Sequence, residues 1–285
     1  MTNVLVTGAT GFLGEYVMRE LLGSGSCISA FVRPGSQTGW LQQQGVKLRV
    51  GDLADRDALE RALLGVDVLL NIASLGFGHA DNVVAAAQAS GIGRAVFVSS
   101  ASVYTQVPNS SKTMRVQAER LIADSGLNYT ILRPTMIYGT PRDRNIWRLI
   151  VYLRRWPAIP VVGRGDALQQ PVFVEDVATV VVQAAGAEHA IGKAYVLAGA
   201  SPLSFVEMID TVCRCIGRGV ARIHLSPRAA RAAVAALSRL GLRITTEQVA
   251  RIQEDKTFDI SAAAADLNFS PLDFEHGLMR ELQWL

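Results

Sequence analysis

Cysteine is scarce in this 285-residue chain, with Cys27, Cys213 and Cys215 the whole complement. A C-x-C pair with no histidine or second cysteine pair nearby has neither zinc spacing nor the makings of a disulfide framework, so no metal is expected. Long apolar runs are missing too. None reaches the roughly 18 residues needed to cross a bilayer. No leader pattern precedes the first strand, so a cytoplasmic location is expected. Neither sign of charge is in excess: 28 Lys and Arg against 25 Asp and Glu leave +3, too little to point to nucleic acid and compatible with a small anionic ligand. The sequence has no internal repeat, linker or low-complexity tract. What remains is a chain with 49% apolar residues, ample for a sizeable core. Its length suits one large α/β domain, with or without a smaller C-terminal lobe.

The chain opens on a strand and a glycine series. Val4, Leu5 and Val6 run on without polar interruption, so Asn3 to Thr7 reads as a buried strand. Gly8, Gly11 and Gly14 follow with G-x-x-G-x-x-G spacing. Tyr16, Val17, Leu21 and Leu22 set against Glu15, Arg19 and Glu20 then mark an amphipathic helix. A strand that stops at glycines and restarts as a helix offers an anion free backbone N–H groups and the positive end of the helix dipole. Gly8 allows the tight turn, Gly11 leaves room for a pyrophosphate, and Gly14 lets the helix pack close to the strand.

The run Val6-Thr7-Gly8-Ala9-Thr10-Gly11-Phe12-Leu13-Gly14 resembles the opening of the extended and atypical short-chain dehydrogenases/reductases, the NAD-dependent epimerase/dehydratase group. The resemblance implies an α/β fold, a Rossmann-type doubly wound parallel sheet with a small C-terminal substrate lobe. The dinucleotide-binding core would span 1–139. The remainder, 140–285, would return to that core at about 170–200 and form the lobe. The loop residues Gly8, Thr10, Gly11, Phe12, Leu13 and Gly14 would hold the dinucleotide. A second strand, 27–32, ends at Arg33, with Ser36 close by and no acid. An acid at this place binds the ribose hydroxyl of NAD, whereas an arginine accommodates the 2′-phosphate of NADP, so NADP(H) is expected, with NAD the alternative. After a third strand, 46–50, Gly51-Asp52-Leu53 resembles the family turn that lies against the adenine, which assigns Asp52 and Leu53 there; a plain helix-capping turn is the other reading. Asp55 is expected to cap a helix over 56–64. A fourth strand, 67–72, exits through Ala73 and Ser74, small enough to leave room for the cofactor backbone. His79, ahead of a helix over 80–90, is a substrate-side candidate on the edge where such folds bind ligands.

A fifth strand, 94–99, closes with Ser99-Ser100-Ala101-Ser102-Val103-Tyr104, similar to the family's S-S-x-x-V-Y stretch. The resemblance puts Ser99 beside the cofactor, Ser100 on the reacting oxygen, and Tyr104 in a structural role. There the match breaks. The family's acid/base is a tyrosine four residues before a lysine, whose charge lowers the phenol's pKa. No tyrosine lies between Tyr104 and Tyr129, and Pro108 stands four residues before Lys112. Lys112, at the start of a helix over 112–125, could hold the nicotinamide ribose, act as the base itself, or be a surface lysine. Agreement returns at Arg133-Pro134-Thr135-Met136-Ile137-Tyr138-Gly139, which resembles the R-P-x-x-V-Y-G segment and assigns Pro134 and Ile137 to the nicotinamide end. Arg142 and Arg144, with Arg148, Arg154, Arg155 and Arg164, lie where sugar-nucleotide members of the family grip a diphosphate; a solvated cationic face is the alternative. Asp176 reads as a helix cap. The basic, alanine-rich stretch 227–243 reads as a packing helix, with membrane contact the lesser alternative.

Two functions follow. One is an NADP(H)-dependent oxidoreductase or epimerase acting on a nucleotide sugar or another small carbonyl or hydroxyl substrate, with Ser100 and Lys112 catalytic. The other is a non-catalytic NADP(H)-binding protein, similar to atypical members such as a respiratory complex I subunit. The missing tyrosine favours the second; Ser100 and the Arg133-Pro134 segment favour the first. A monomer or homodimer with no nucleic-acid partner is expected in either case.

Overall fold

The computed structural model describes residues 2–107, 109–230, 232 and 254–285. Its strands are β1 (Asn3–Thr7), β2 (Cys27–Val32), β3 (Lys47–Val50), β4 (Val68–Asn71), β5 (Arg94–Val98), β6 (Tyr129–Pro134), β7 (Ile137–Tyr138), β8 (Ala158–Val162), β9 (Leu168–Gln169), β10 (Val172–Phe173), β11 (Lys193–Leu197), β12 (Leu203–Ser204) and β13 (Ala221–Leu225). The helices are α1 (Phe12–Leu22), α2 (Gly39–Gln43), α3 (Arg56–Leu63), α4 (Ala80–Ala89), α5 (Ser110–Asp124), α6 (Ile146–Arg155), α7 (Val174–Gly186), α8 (Phe205–Cys215), α9 (Ser261–Leu267) and α10 (Phe274–Glu281).

Seven strands form one sheet in the order β11-β6-β5-β4-β1-β2-β3, and every pairing in it is parallel. Parallel strands need helical crossovers, so both faces are covered and the central strands are largely apolar. Arg94 to Val98 is buried along its whole length. One face carries Val4, Val6, Val17, Met18 and Val177 under α1 and α7. The other carries Leu5, Leu59, Val83, Phe97 and Ile122 under α3, α4 and α5. Strand order reverses between β1 and β4. The crevice at the carboxyl ends of those two strands is where open α/β sheets take ligands.

Beyond Gly139 a further apolar core assembles from Tyr138, Ile146, Ile150, Leu153, Val161, Phe173, Met208, Val212 and Leu278. Here β13 pairs with β8 and β10 with β7, both parallel, while β12 pairs antiparallel with β9. The segment over α7 and β11 rejoins the large sheet: β11 pairs with β6.

Caps explain several element ends. Asp55 accepts from the Ala58 N–H at the start of α3, and Ser204 with Glu207 forms a reciprocal capping box on α8. Asp176 is a correction. It lies inside the first turn of α7, whose cap position is Phe173. Its carboxylate instead accepts from the Leu272 N–H at 2.9 Å and ties down the approach to α10. The basic stretch 227–243 falls largely outside the described residues. Among those described, no helix is long and apolar enough to cross a membrane.

Candidate functional site

The crevice is built by close backbone approach. Gly8 has φ +71, and a Cβ there would lie 2.7 Å from the Ala73 nitrogen, so only glycine lets the β1 exit pass the β4 exit. At Gly14 a Cβ would fall 2.0 Å from the Gly8 carbonyl oxygen, which is the tight helix–strand packing that its position predicts. Gly11 differs. It is exposed, and its Cβ position meets only the Gly8 oxygen at 3.0 Å. It is the N-cap of α1 and supplies no side-chain hydrogen bond. The first-turn N–H groups of Phe12 and Leu13 therefore have no side-chain cap, and helix geometry leaves them without an intrahelical partner. N–H groups so placed at a helix start are suited to cradle an anion. The floor is pinned by the Thr7 hydroxyl, which donates to Asn71 Oδ1 at 2.7 Å, while Asn71 donates to the Ala73 carbonyl at 3.2 Å.

A second observation fits a cofactor here. The Ser99 hydroxyl, at the carboxyl end of β5, is buried with no hydrogen-bond partner among the described residues. Buried hydroxyls are nearly always satisfied, so an orphan on the ligand edge points to a partner that arrives with a ligand. An uncapped helix start, a cradle open at Gly11 and an unpaired serine together suit a dinucleotide.

Other sequence candidates line the same edge. Arg33 is exposed at the end of β2, in a turn closed by the Ser36 N–H on the Arg33 carbonyl at 3.1 Å. Asp52 Oδ1 accepts from the Ala54 N–H at 2.8 Å, and Leu53 packs against the face beneath α3 and α4. Ser74 caps a short 3₁₀ turn, Leu75–Phe77. Pro134 is buried at the end of β6, and Ile137 is half-buried. His79 is the residue before α4 and makes no side-chain capping bond.

The serine turn after β5 is a 3₁₀ turn over Ala101–Tyr104, in which Ser100 Oγ accepts from the Ser102 N–H. Tyr104 is held from behind: Arg133 donates to its hydroxyl at 2.6 Å and pairs with the buried Glu119 at 2.7 Å. The Glu254 carboxylate accepts from the Thr105 hydroxyl and the Gln106 N–H, and Phe258 packs on Tyr104 with ring centroids 5.7 Å apart. The turn bearing Ser100 is thus clamped between α5, β6 and the 254–258 segment.

The expected cations separate. Lys112 donates its ammonium to the Thr105 carbonyl, toward the loop that leaves the serine turn. Arg142 reaches back to the glycine loop, donating to the Thr10 carbonyl at 2.8 Å and to Glu15 at 2.6 Å. Arg144 is exposed, and Arg164 pairs with Asp166 at 2.6 Å. One cation that sequence reasoning passed over faces the serine turn: Arg115 donates to Ser102 Oγ at 3.2 Å and to Ser111 Oγ. A serine four residues ahead of an arginine is the same spacing as the absent tyrosine and lysine. Reading that spacing with looser residue types would have found the pair.

The chain is similar to several known proteins. A family model described as NAD(P)H-binding matches residues 8–188. Quinone oxidoreductase 2 of Escherichia coli K12 is 32% identical over 78% of this chain and 78% of its own. The 2-alkyl-3-oxoalkanoate reductase of Shewanella oneidensis is 25% identical over 98% of this chain and 85% of its own. The crystal structure of an Escherichia coli NADPH-dependent quinone oxidoreductase superposes with TM-score 0.78 and 25% identity, covering 96% of this chain and 98% of that one. The chain therefore belongs to the NAD(P)H-binding, short-chain dehydrogenase/reductase-like family.

Proposed function

We propose that this chain is an NADP(H)-dependent reductase of a small carbonyl compound. The observation that carries the reading is the meeting of two features on one sheet edge: the anion cradle after β1 and the clamped serine turn after β5. A cofactor over the first would bring its nicotinamide toward the second. When bound in reduced form it would supply a hydride to the substrate's carbonyl carbon. Ser100 then has a defined task. Its oxygen accepts from the Ser102 N–H at 3.2 Å, so its own hydrogen is left to donate to the carbonyl oxygen as negative charge builds there. Ser99, Ala73, Ser74, Pro134 and Ile137 would surround the cofactor, Asp52 and Leu53 would meet its adenine, and Arg33 with Ser36 would take a 2′-phosphate in preference to a bare ribose.

Substrate class follows from what surrounds the serine turn. Phe77 is 75% exposed and Tyr104 45% exposed, on the loops after β4 and β5, and their rings would offer apolar surface to a substrate there. The relatives named above reduce a quinone or an alkylated 3-oxo acid, and such a surface suits either. For a nucleotide sugar, two of the expected arginines are already engaged, Arg142 at the glycine loop and Arg164 by Asp166. The absent tyrosine supports a second reading, a cofactor-binding protein without turnover. Nicotinamide absorbance decides between them. NADPH should be oxidised with at least one member of a panel of quinones, 3-oxo acids and keto-sugar nucleotides. Tight NADPH binding with no turnover across the panel would favour the second reading.

A further inference from the structure

The site needs a proton source, and its tyrosine is missing. Ser111 and Arg115 lie on one face of α5, four residues apart, so their side chains stack along the helix. Arg115 closes a triangle. One guanidinium nitrogen donates to Ser102 in the serine turn and to Ser111 in its own helix. The pair also touches the β4 exit. A Cβ on Gly76 would lie 2.7 Å from the Ser111 oxygen and 3.0 Å from the Arg115 guanidinium. Three elements therefore converge here: the Leu75–Phe77 turn, the Ala101–Tyr104 turn and the first turns of α5. Lys112 turns away, to the Thr105 carbonyl.

The chemistry of the contacts is directional. Ser111 Oγ accepts from a cation, so its O–H is left to donate, as that of Ser100 is. A guanidinium beside a hydroxyl stabilises the oxygen's negative charge when the proton leaves, which makes the hydroxyl a better donor than an isolated serine. Arginine cannot give up its own proton at ordinary pH, so the charge stays in place through the reaction.

We propose that Ser111 and Arg115 take over the proton handling of this site, with Ser111 passing a proton to the substrate oxygen and Arg115 holding the charge that makes this possible. The proposal rests on the reductase reading above for its substrate. The carbonyl carbon gains a hydride from the reduced dinucleotide, and the carbonyl π pair moves to the oxygen. That oxygen takes the Ser111 proton, Ser111 recovers a proton from solvent water, and the dinucleotide is left oxidised. Arg115 is a positioning residue in this scheme, acting through the two serines.

A test that needs no turnover is Ser111→Cys. The new thiol should titrate about one pH unit or more below the ordinary cysteine value of about 8.5, read as the thiolate absorbance difference from the parent protein, which carries Cys27, Cys213 and Cys215 in both. Adding Arg115→Gln should return the titration to the ordinary range. A thiol that titrates normally beside an intact Arg115 would overturn the proposal. Turnover gives the second arm. Ser111→Ala and Arg115→Gln should each lower kcat at least tenfold, and Arg115→Lys should recover part of the loss. An active parent that ignores both changes would also overturn it. A parent inert to every substrate whose Ser111→Cys thiol is still depressed would remove the reductase reading and uphold the charged serine pair.

Discussion

Arg142 reaches from the turn before α6 to Glu15 on α1: its guanidinium donates to that carboxylate at 2.6 Å and to the Thr10 carbonyl at 2.8 Å. Glu15 stands in the first turn of α1, where a carboxylate suits the helix dipole but would repel a bound pyrophosphate. Arg142 neutralises it from outside the helix, and Arg19 does so from within at 2.7 Å. Arg142 is held on a fixed turn. Its N–H donates to Thr140 Oγ1 at 3.2 Å, and its neighbour Asp143 accepts three backbone N–H groups at the start of α6.

Arg142→Ala should weaken NADPH and NADH alike, by about tenfold or about 1.4 kcal/mol, because the pyrophosphate is common to both. Glu15→Gln in that background should restore part of the loss. Calorimetry reads both. Unchanged affinity in Arg142→Ala would detach this arginine from the cradle.

Gly11→Val and Gly14→Ala should separate two roles within one motif. The Gly11 side faces the cradle, so valine there should abolish dinucleotide binding and leave the circular dichroism spectrum and melting temperature near those of the parent. The Gly14 Cβ would stand 2.0 Å from the Gly8 oxygen, and overpacking against backbone should cost roughly 3 kcal/mol or more of stability. A Gly14→Ala protein that melts normally would contradict the packing described.

Arg33→Ala should weaken NADPH far more than NADH. Loss of a charge-assisted bond corresponds to about 1.5–3 kcal/mol. Equal weakening of the two cofactors, or a parent that binds NADH more tightly, would reverse the assignment.

Glu281 gives a pH dependence with a definite sign. It is fully buried on α10. Burial, and after it the neighbouring Asp143, pushes its carboxyl up from 4.5 to about 9. The folded protein keeps this proton while the unfolded chain loses it above pH 4.5 or so. Stability from this group is therefore full below that value and falls as pH rises toward 9. Glu281→Gln should raise the melting temperature at pH 8, leave it nearly unchanged at pH 4, and flatten the decline between. An unaltered pH slope would place the proton elsewhere.

The sequence made the sheet side of the site legible because glycines and small residues record backbone clearances. Gly8, Gly14 and Ala73 are small where two chain exits nearly touch, and that requirement shows in the residue type itself. The helix start at Asp55 was legible for a similar reason, a side chain meeting a local N–H. Long-range pairings were not. Nothing local in Arg142 or Glu15 announces a partner 127 residues away, and Asp176 looked like a cap because its true partner, Leu272, lies 96 residues on. Lys112 is the first lysine after the serine turn. Helix periodicity turns it toward Thr105 and brings Arg115, about 60° round the helix, to the serines.

The most direct measurement compares NADPH oxidation by the parent protein and by Ser100→Ala on the best substrate of the panel, with NADPH affinity measured on both. The account predicts at least a tenfold loss of turnover with affinity unchanged, since the proposal sets Ser100 on the reacting oxygen and not on the dinucleotide. Turnover that survives Ser100→Ala intact would contradict it.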